Sequence, residues 1–72
     1  MPAPTIKYTV ELRHRVEVEL TDVEVLEAEK ATRAKFEMTD EDEVGDIDII
    51  LEAIFAGKLK LDPDHVHDAE EA

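Results

Sequence analysis

Carboxylates are the residues of this chain best supplied to do chemistry, and the chemistry open to them is the binding of cations. Glu37, Asp40, Glu41, Asp42, Glu43, Asp46, Asp48 and Glu52 fall within residues 37–57, a stretch without Lys or Arg. Protein surfaces ordinarily mix the two signs. Anions at spacings comparable to backbone phosphates suit a basic groove on another protein, which their field would both attract and orient. The competing reading is a solvated helix face with its connector, serving solubility.

Two metal readings can be tested by spacing. A calcium loop with Asp40 at its first position gains Asp42, Gly45, Asp46 and Asp48 at the expected places. It then meets Val44 and Leu51 where a ligand and the closing bidentate Glu are needed, and Glu52 comes one residue late. His65 and His67 lie among Asp62, Asp64 and Asp68, but that spacing ligates only from an extended chain and offers no anchored third ligand. No metal site and no cofactor are expected.

The absences are equally informative. The chain has no Cys, Ser, Asn, Gln or Trp. Nucleophilic catalysis would fall to Thr, Lys or Tyr8, and no side-chain amide could build an oxyanion hole. The chain reads as a non-enzyme.

Net charge is −12, unevenly spread. Residues 1–36 hold seven acids and six bases (−1), and residues 37–57 hold eight acids and no base (−8). Lys58 and Lys60 add +2, and residues 61–72 contribute −5. Direct nucleic-acid binding is disfavoured, because phosphates would be repelled. No apolar run approaches the roughly 18 residues of a membrane span, and Met-Pro-Ala-Pro-Thr lacks the order of a signal peptide. A cytoplasmic protein with no membrane partner is the expectation.

The elements that must position these groups start from Ile6–Leu20. Ile6, Tyr8, Val10, Leu12, His14, Val16, Val18 and Leu20 alternate with polar residues, the pattern of a half-buried strand. As one strand, 15 residues would span about 50 Å. A globule of 72 residues is only about 30 Å across. A two-residue hairpin at Arg13-His14 would set Val10 opposite Glu17 and mix the faces. A three-residue loop, Arg13-His14-Arg15, keeps parity and pairs Val10 with Val18. It lacks the usual left-handed Gly, however, and sets Glu11 against Glu17. The reading favours one long strand whose overhang pairs with a second copy through Val10, Leu12, His14, Val16 and Val18, making a homodimer. The hairpin is its alternative.

Thr21 and Glu24 form a capping box, and Leu20 with Val25 a hydrophobic staple, so a first helix is expected at Asp22–Phe36. Its apolar stripe reads as Val23, Leu26, Ala31 and Ala34. Thr39 is a candidate second N-cap. A second helix follows, with Val44, Ile47, Ile50, Leu51, Ile54 and Phe55 on one stripe and Gly57 as its stop. Lys58–Leu61 alternates and reads as a short closing strand. The expected organisation is a flexible lead-in over 1–5, one α+β domain over 6–61, and an acidic flexible tail over 62–72.

The functional expectation is an acidic binding module that docks on a basic, nucleic-acid-binding surface through Glu41, Asp42, Asp46, Asp48 and Glu52. In composition it resembles phage-type inhibitors and nucleic-acid mimics in kind only. The alternative is a small assembly protein that oligomerises through its long strand.

Overall fold

A computed structural model describes residues 4–72. Three antiparallel strands carry two helices on one face, an α+β arrangement. β1 (Thr5–Glu11) and β2 (Arg15–Thr21) form a hairpin, α1 (Asp22–Lys35) and α2 (Asp46–Phe55) follow, and β3 (Asp68–Glu71) closes the sheet in the order β2-β1-β3. Residues 1–3 of the expected lead-in lie outside the described residues; Thr5 already belongs to β1 and pairs with Thr21.

The hairpin replaces the long strand. Its loop is Leu12-Arg13-His14, one residue earlier than the sequence suggests, tied by the Leu12 N–H donating to the His14 carbonyl at 3.1 Å. Parity survives the shift, so Val10 faces Val16, Tyr8 faces Val18 and Ile6 faces Leu20. The outer face gains from it. Glu11 now faces Arg15, Lys7 faces Glu19, and Glu17 sits opposite Thr9 instead of Glu11. Of the residues expected to pair across two copies, Val10, Val16 and Val18 pair within the chain, with Val10 wholly buried in the central strand, while Leu12 and His14 lie in the loop. The fold measures 35 × 33 × 20 Å, with no strand protruding.

α1 begins as expected. The Thr21 side chain accepts the Glu24 N–H at 3.2 Å, and the Glu24 carboxylate accepts the Thr21 N–H at 2.9 Å. Leu20 and Val25 are both buried, and that staple sets the phase of the helix. At about 100° per residue, fixing Val25 inward turns Val23 and Leu26 away from the core. Val23 and Leu26 are accordingly 62% and 56% exposed, and the buried stripe is Val25, Ala28 and Thr32. The buried Thr32 hydroxyl donates to the Ala28 carbonyl at 2.9 Å, so no polar atom is stranded there.

α2 buries Ile49, Ile50 and Ala53, while Phe55 stands out at its last turn beneath the Lys35 ammonium, 5.0 Å from the ring centroid. Gly45, not Thr39, is its N-cap. Gly57 ends it with φ of 79°, in a motif where the Lys58 N–H bonds the Ala53 carbonyl and the Gly57 N–H bonds the Ile54 carbonyl. Lys58–Leu61 is not a strand. Leu59 and Leu61 rest half-buried against the core from an irregular segment, and the chain turns at Pro63–His65 behind the Asp62 cap. The closing strand lies in the segment expected as a tail. The His67 N–H donates to the Glu11 carbonyl at 2.8 Å, β3 runs back along β1, and the Ala72 N–H reaches the Lys7 carbonyl at 2.9 Å. Ala69, opposite Val10, is the residue of β3 that enters the core.

Candidate functional site: an acidic bowl over Tyr8

The elements meet in an open bowl of about 500 Å³ at the end of the sheet where β1 starts and β3 finishes. Ile6 and Tyr8 of β1, Val25 of α1 and Ile49 of α2 give it an apolar floor. Its walls carry Glu29 and Arg33 from α1, Asp40, Glu41, Asp42 and Glu43 from the connector, Asp46 from α2 and Glu71 from β3. Seven carboxylates thus surround one cation.

The connector is held in place by its own backbone. The Met38 N–H donates to the Arg33 carbonyl at 2.8 Å, and Glu37 takes the left-handed turn with φ of 54°. Thr39 and Asp42 close a tight loop, with the Thr39 N–H donating to the Asp42 carboxylate at 2.9 Å and the Asp42 N–H donating to the Thr39 carbonyl at 3.1 Å. Arg33 straps this loop to α1. Its Nη2 donates to the Asp42 carbonyl at 3.1 Å and lies 3.6 Å from Glu29.

The residues expected to bind a partner separate into two groups. Glu41 and Asp42 stand exposed on the rim, and Asp46 lines the bowl, where its Oδ2 accepts the Glu71 N–H at 3.0 Å. Asp48 is half-buried in the first turn of α2 and does not line the bowl. Glu52 faces α1 instead. It pairs with Lys35 at 3.6 Å with only 14% of its side chain exposed, and its Oε2 is buried without a hydrogen-bond partner. Among the described residues, no three or more His, Asp or Glu side chains are arranged to hold a metal ion.

Sequence reasoning missed Glu29, Glu71 and Tyr8. Glu29 carried a signal in its i,i+4 spacing to Arg33, which fixes the helix face it shares. Glu71 reaches the site only through the register that sets it beside Tyr8, and nothing local announces that register.

Several cations elsewhere have carboxylate partners of their own. Lys7 pairs with Glu19 at 3.8 Å and Arg15 with Glu11 at 3.1 Å. Asp40, Glu41, Asp42, Glu43, Asp46 and Glu71 have no ion-pair partner among the described residues. The field they create reaches Tyr8. Burial chiefly, then Asp46, Glu71 and Glu29, push the Tyr8 phenol above its ordinary value of 10.0. The chain matches no family model, no curated protein and no solved structure.

Proposed function

We propose that this protein is a non-enzymatic acidic binding module that docks on the basic surface of a partner protein, of the kind that otherwise holds nucleic acid, and so acts as an inhibitor or nucleic-acid mimic. A cytoplasmic setting belongs to this reading; no helix among the described residues is long and apolar enough to cross a membrane. The supporting observation is that the connector and bowl present Asp40, Glu41, Asp42, Glu43, Asp46 and Glu71 with no basic side chain paired to them among the described residues. The contact set is thereby revised from the sequence expectation: Glu41, Asp42 and Asp46 stay, Asp48 is peripheral, and Glu52 is occupied by Lys35.

The test is binding to a lysine- and arginine-rich DNA-binding protein, with duplex DNA as competitor. Affinity is expected to fall steeply between about 50 and 500 mM salt, since exposed charge contacts are screened over that range. The triple variant Asp40→Lys, Glu41→Lys, Glu43→Lys is expected to abolish binding. Affinity indifferent to salt and to this reversal would overturn the reading.

Assembly through a strand edge is a second reading, now centred on β2. That strand is an edge of the sheet, and its Val16 and Val18 are only half-buried. An added strand from a second copy would complete both its hydrogen bonds and its apolar cover. Light scattering decides it: a dimer whose formation tolerates the triple reversal favours assembly, and a monomer at millimolar concentration rejects it.

A further inference from the structure

We infer that the bowl is the seat of a single arginine side chain projecting from the basic partner, with its stem on Ile6, Val25 and Ile49 and its guanidinium among Asp46, Glu71 and the Tyr8 hydroxyl. The inference rests on the binding reading above and names what that surface recognises. Acidic residues alone would not carry it, because a cluster of anions is most simply a solvated surface. Tyr8 supplies the independent observation. It is 97% buried, given its 3% exposure, and it lines the bowl. Its hydroxyl has no hydrogen-bond partner among the described residues. That hydroxyl is not sealed off; it is the tip of an otherwise buried side chain and opens into the bowl. The carboxylates around this one cannot all be satisfied by its single proton, whereas its oxygen can accept from a donor placed among them.

The chain's own cation does not fill that place. Arg33 is held at the wall through its Nη2, which meets Glu29 and the Asp42 carbonyl, while its Nε is buried without a partner among the described residues. Guanidinium fits the remaining space better than ammonium. It offers five donors in a fixed plane and is more weakly hydrated, so it can serve Asp46, Glu71 and the phenol oxygen together. An apolar floor under a ring of carboxylates also matches the two halves of an arginine side chain, whose methylene stem covers apolar surface while its head stays polar.

Tyr8 reports on its own site, being the only Tyr in a chain without Trp. The probes are a short peptide with one arginine between two lysines and the same peptide with neutral, isosteric citrulline in place of arginine. Each is titrated at low salt while Tyr8 fluorescence is followed. The arginine peptide is expected to change the emission saturably, with the citrulline peptide weaker by about tenfold. Glu71→Gln is expected to weaken the arginine peptide severalfold and leave the citrulline peptide unchanged. The Glu71 contact to Asp46 is made by its backbone N–H, so this variant keeps the fold. Asp46→Asn, which retains an acceptor oxygen for that N–H, should act in the same direction. Equal affinity for the two peptides, or binding that leaves Tyr8 unperturbed, would overturn the arginine seat. If the DNA-binding protein still bound and the triple rim reversal still abolished it, the docking function would stand without the seat. Failure of both the peptides and the protein to bind at low salt would overturn both.

Discussion

Glu11 and Arg15 face each other on the last rung before the hairpin loop, with the Arg15 Nε 3.1 Å from the Glu11 Oε1. This pair identifies the register. Moving the loop by one residue on each strand would keep every apolar side chain on the inner face, so hydrophobic burial alone does not choose between the two pairings. The outer face chooses. The observed register joins Glu11 to Arg15 and Lys7 to Glu19, whereas the other would oppose Glu11 and Glu17.

Arg15→Glu is therefore expected to weaken the hairpin by turning its last rung into a like-charge pair. Both side chains are well exposed, which limits the effect to about 0.5–1 kcal/mol. Urea unfolding at low salt measures it. The loss should shrink in high salt, and the double variant Glu11→Arg, Arg15→Glu should recover most of it.

The cap at the start of α1 gives a second prediction. Thr21→Ala removes the oxygen that accepts the Glu24 N–H and should cost about 1 kcal/mol in chemical denaturation. The reciprocal bond, from the Thr21 backbone to Glu24, holds the Glu24 carboxyl below its ordinary value of 4.5. A carboxylate lowered on folding contributes stability above its unfolded value and loses it as pH falls through the folded one. Glu24→Gln keeps an acceptor for the bond but cannot titrate. It should flatten the part of the acid-unfolding curve that lies below pH 4.5.

The features legible in the sequence were those set by neighbours along the chain. The capping box, the staple, the Gly57 stop and the alternation of Ile6–Leu20 all appear where local chemistry places them. The buried face of α1 is not the stripe that Val23 and Leu26 suggest, because the staple, a stronger constraint, turns Val25 inward. β3 was not legible. Asp68-Ala69-Glu70-Glu71 carries no strand signature, and it forms a strand because β1 offers it an open edge and Ala69 fits over Val10. Lys58–Leu61 had the alternation but follows the turn at Gly57 directly, and its leucines cover the core without a ladder. The bowl shares the fate of β3, since Glu71 belongs to it only through long-range pairing.

If β3 is an integral strand, then Ala69 is a core residue within an acidic sequence. Ala69→Glu would place an unpaired carboxylate against Val10 and should destabilise by about 3 kcal/mol or more. Glu70→Ala, on the exposed neighbour, should be within about 0.5 kcal/mol of the parent. Similar small effects at both positions in thermal unfolding would show that the strand contributes little.

The two helix stops make an opposed pair. Gly57 sits at φ of 79° with open space around a would-be Cβ, so Gly57→Ala should cost about 1 kcal/mol from backbone strain alone. Glu37 occupies the equivalent left-handed place after α1 at φ of 54°, and there it also sets an anion at the negative end of the helix. Glu37→Gly should therefore stabilise by about 0.5–1 kcal/mol. The two changes should move the unfolding midpoint in opposite directions.

The phenol of Tyr8 is raised on folding, mainly by burial and further by Asp46, Glu71 and Glu29. A group raised on folding contributes stability that is fully present below its unfolded value and is lost as pH rises through the folded one. The contribution of Tyr8 should thus be fully present up to about pH 10 and fall away above it, with Tyr8 ionising later than free tyrosine. Because Tyr8 is the only tyrosine, phenolate absorbance followed against pH reads this group alone. In the unfolded chain the midpoint should return to the ordinary value. Glu71→Gln should lower the native midpoint by removing one of the carboxylates that oppose the phenolate, and an unchanged midpoint would separate Glu71 from the site. Tyr8→Phe should remove this component of the alkaline loss, leaving whatever the lysines and arginines contribute.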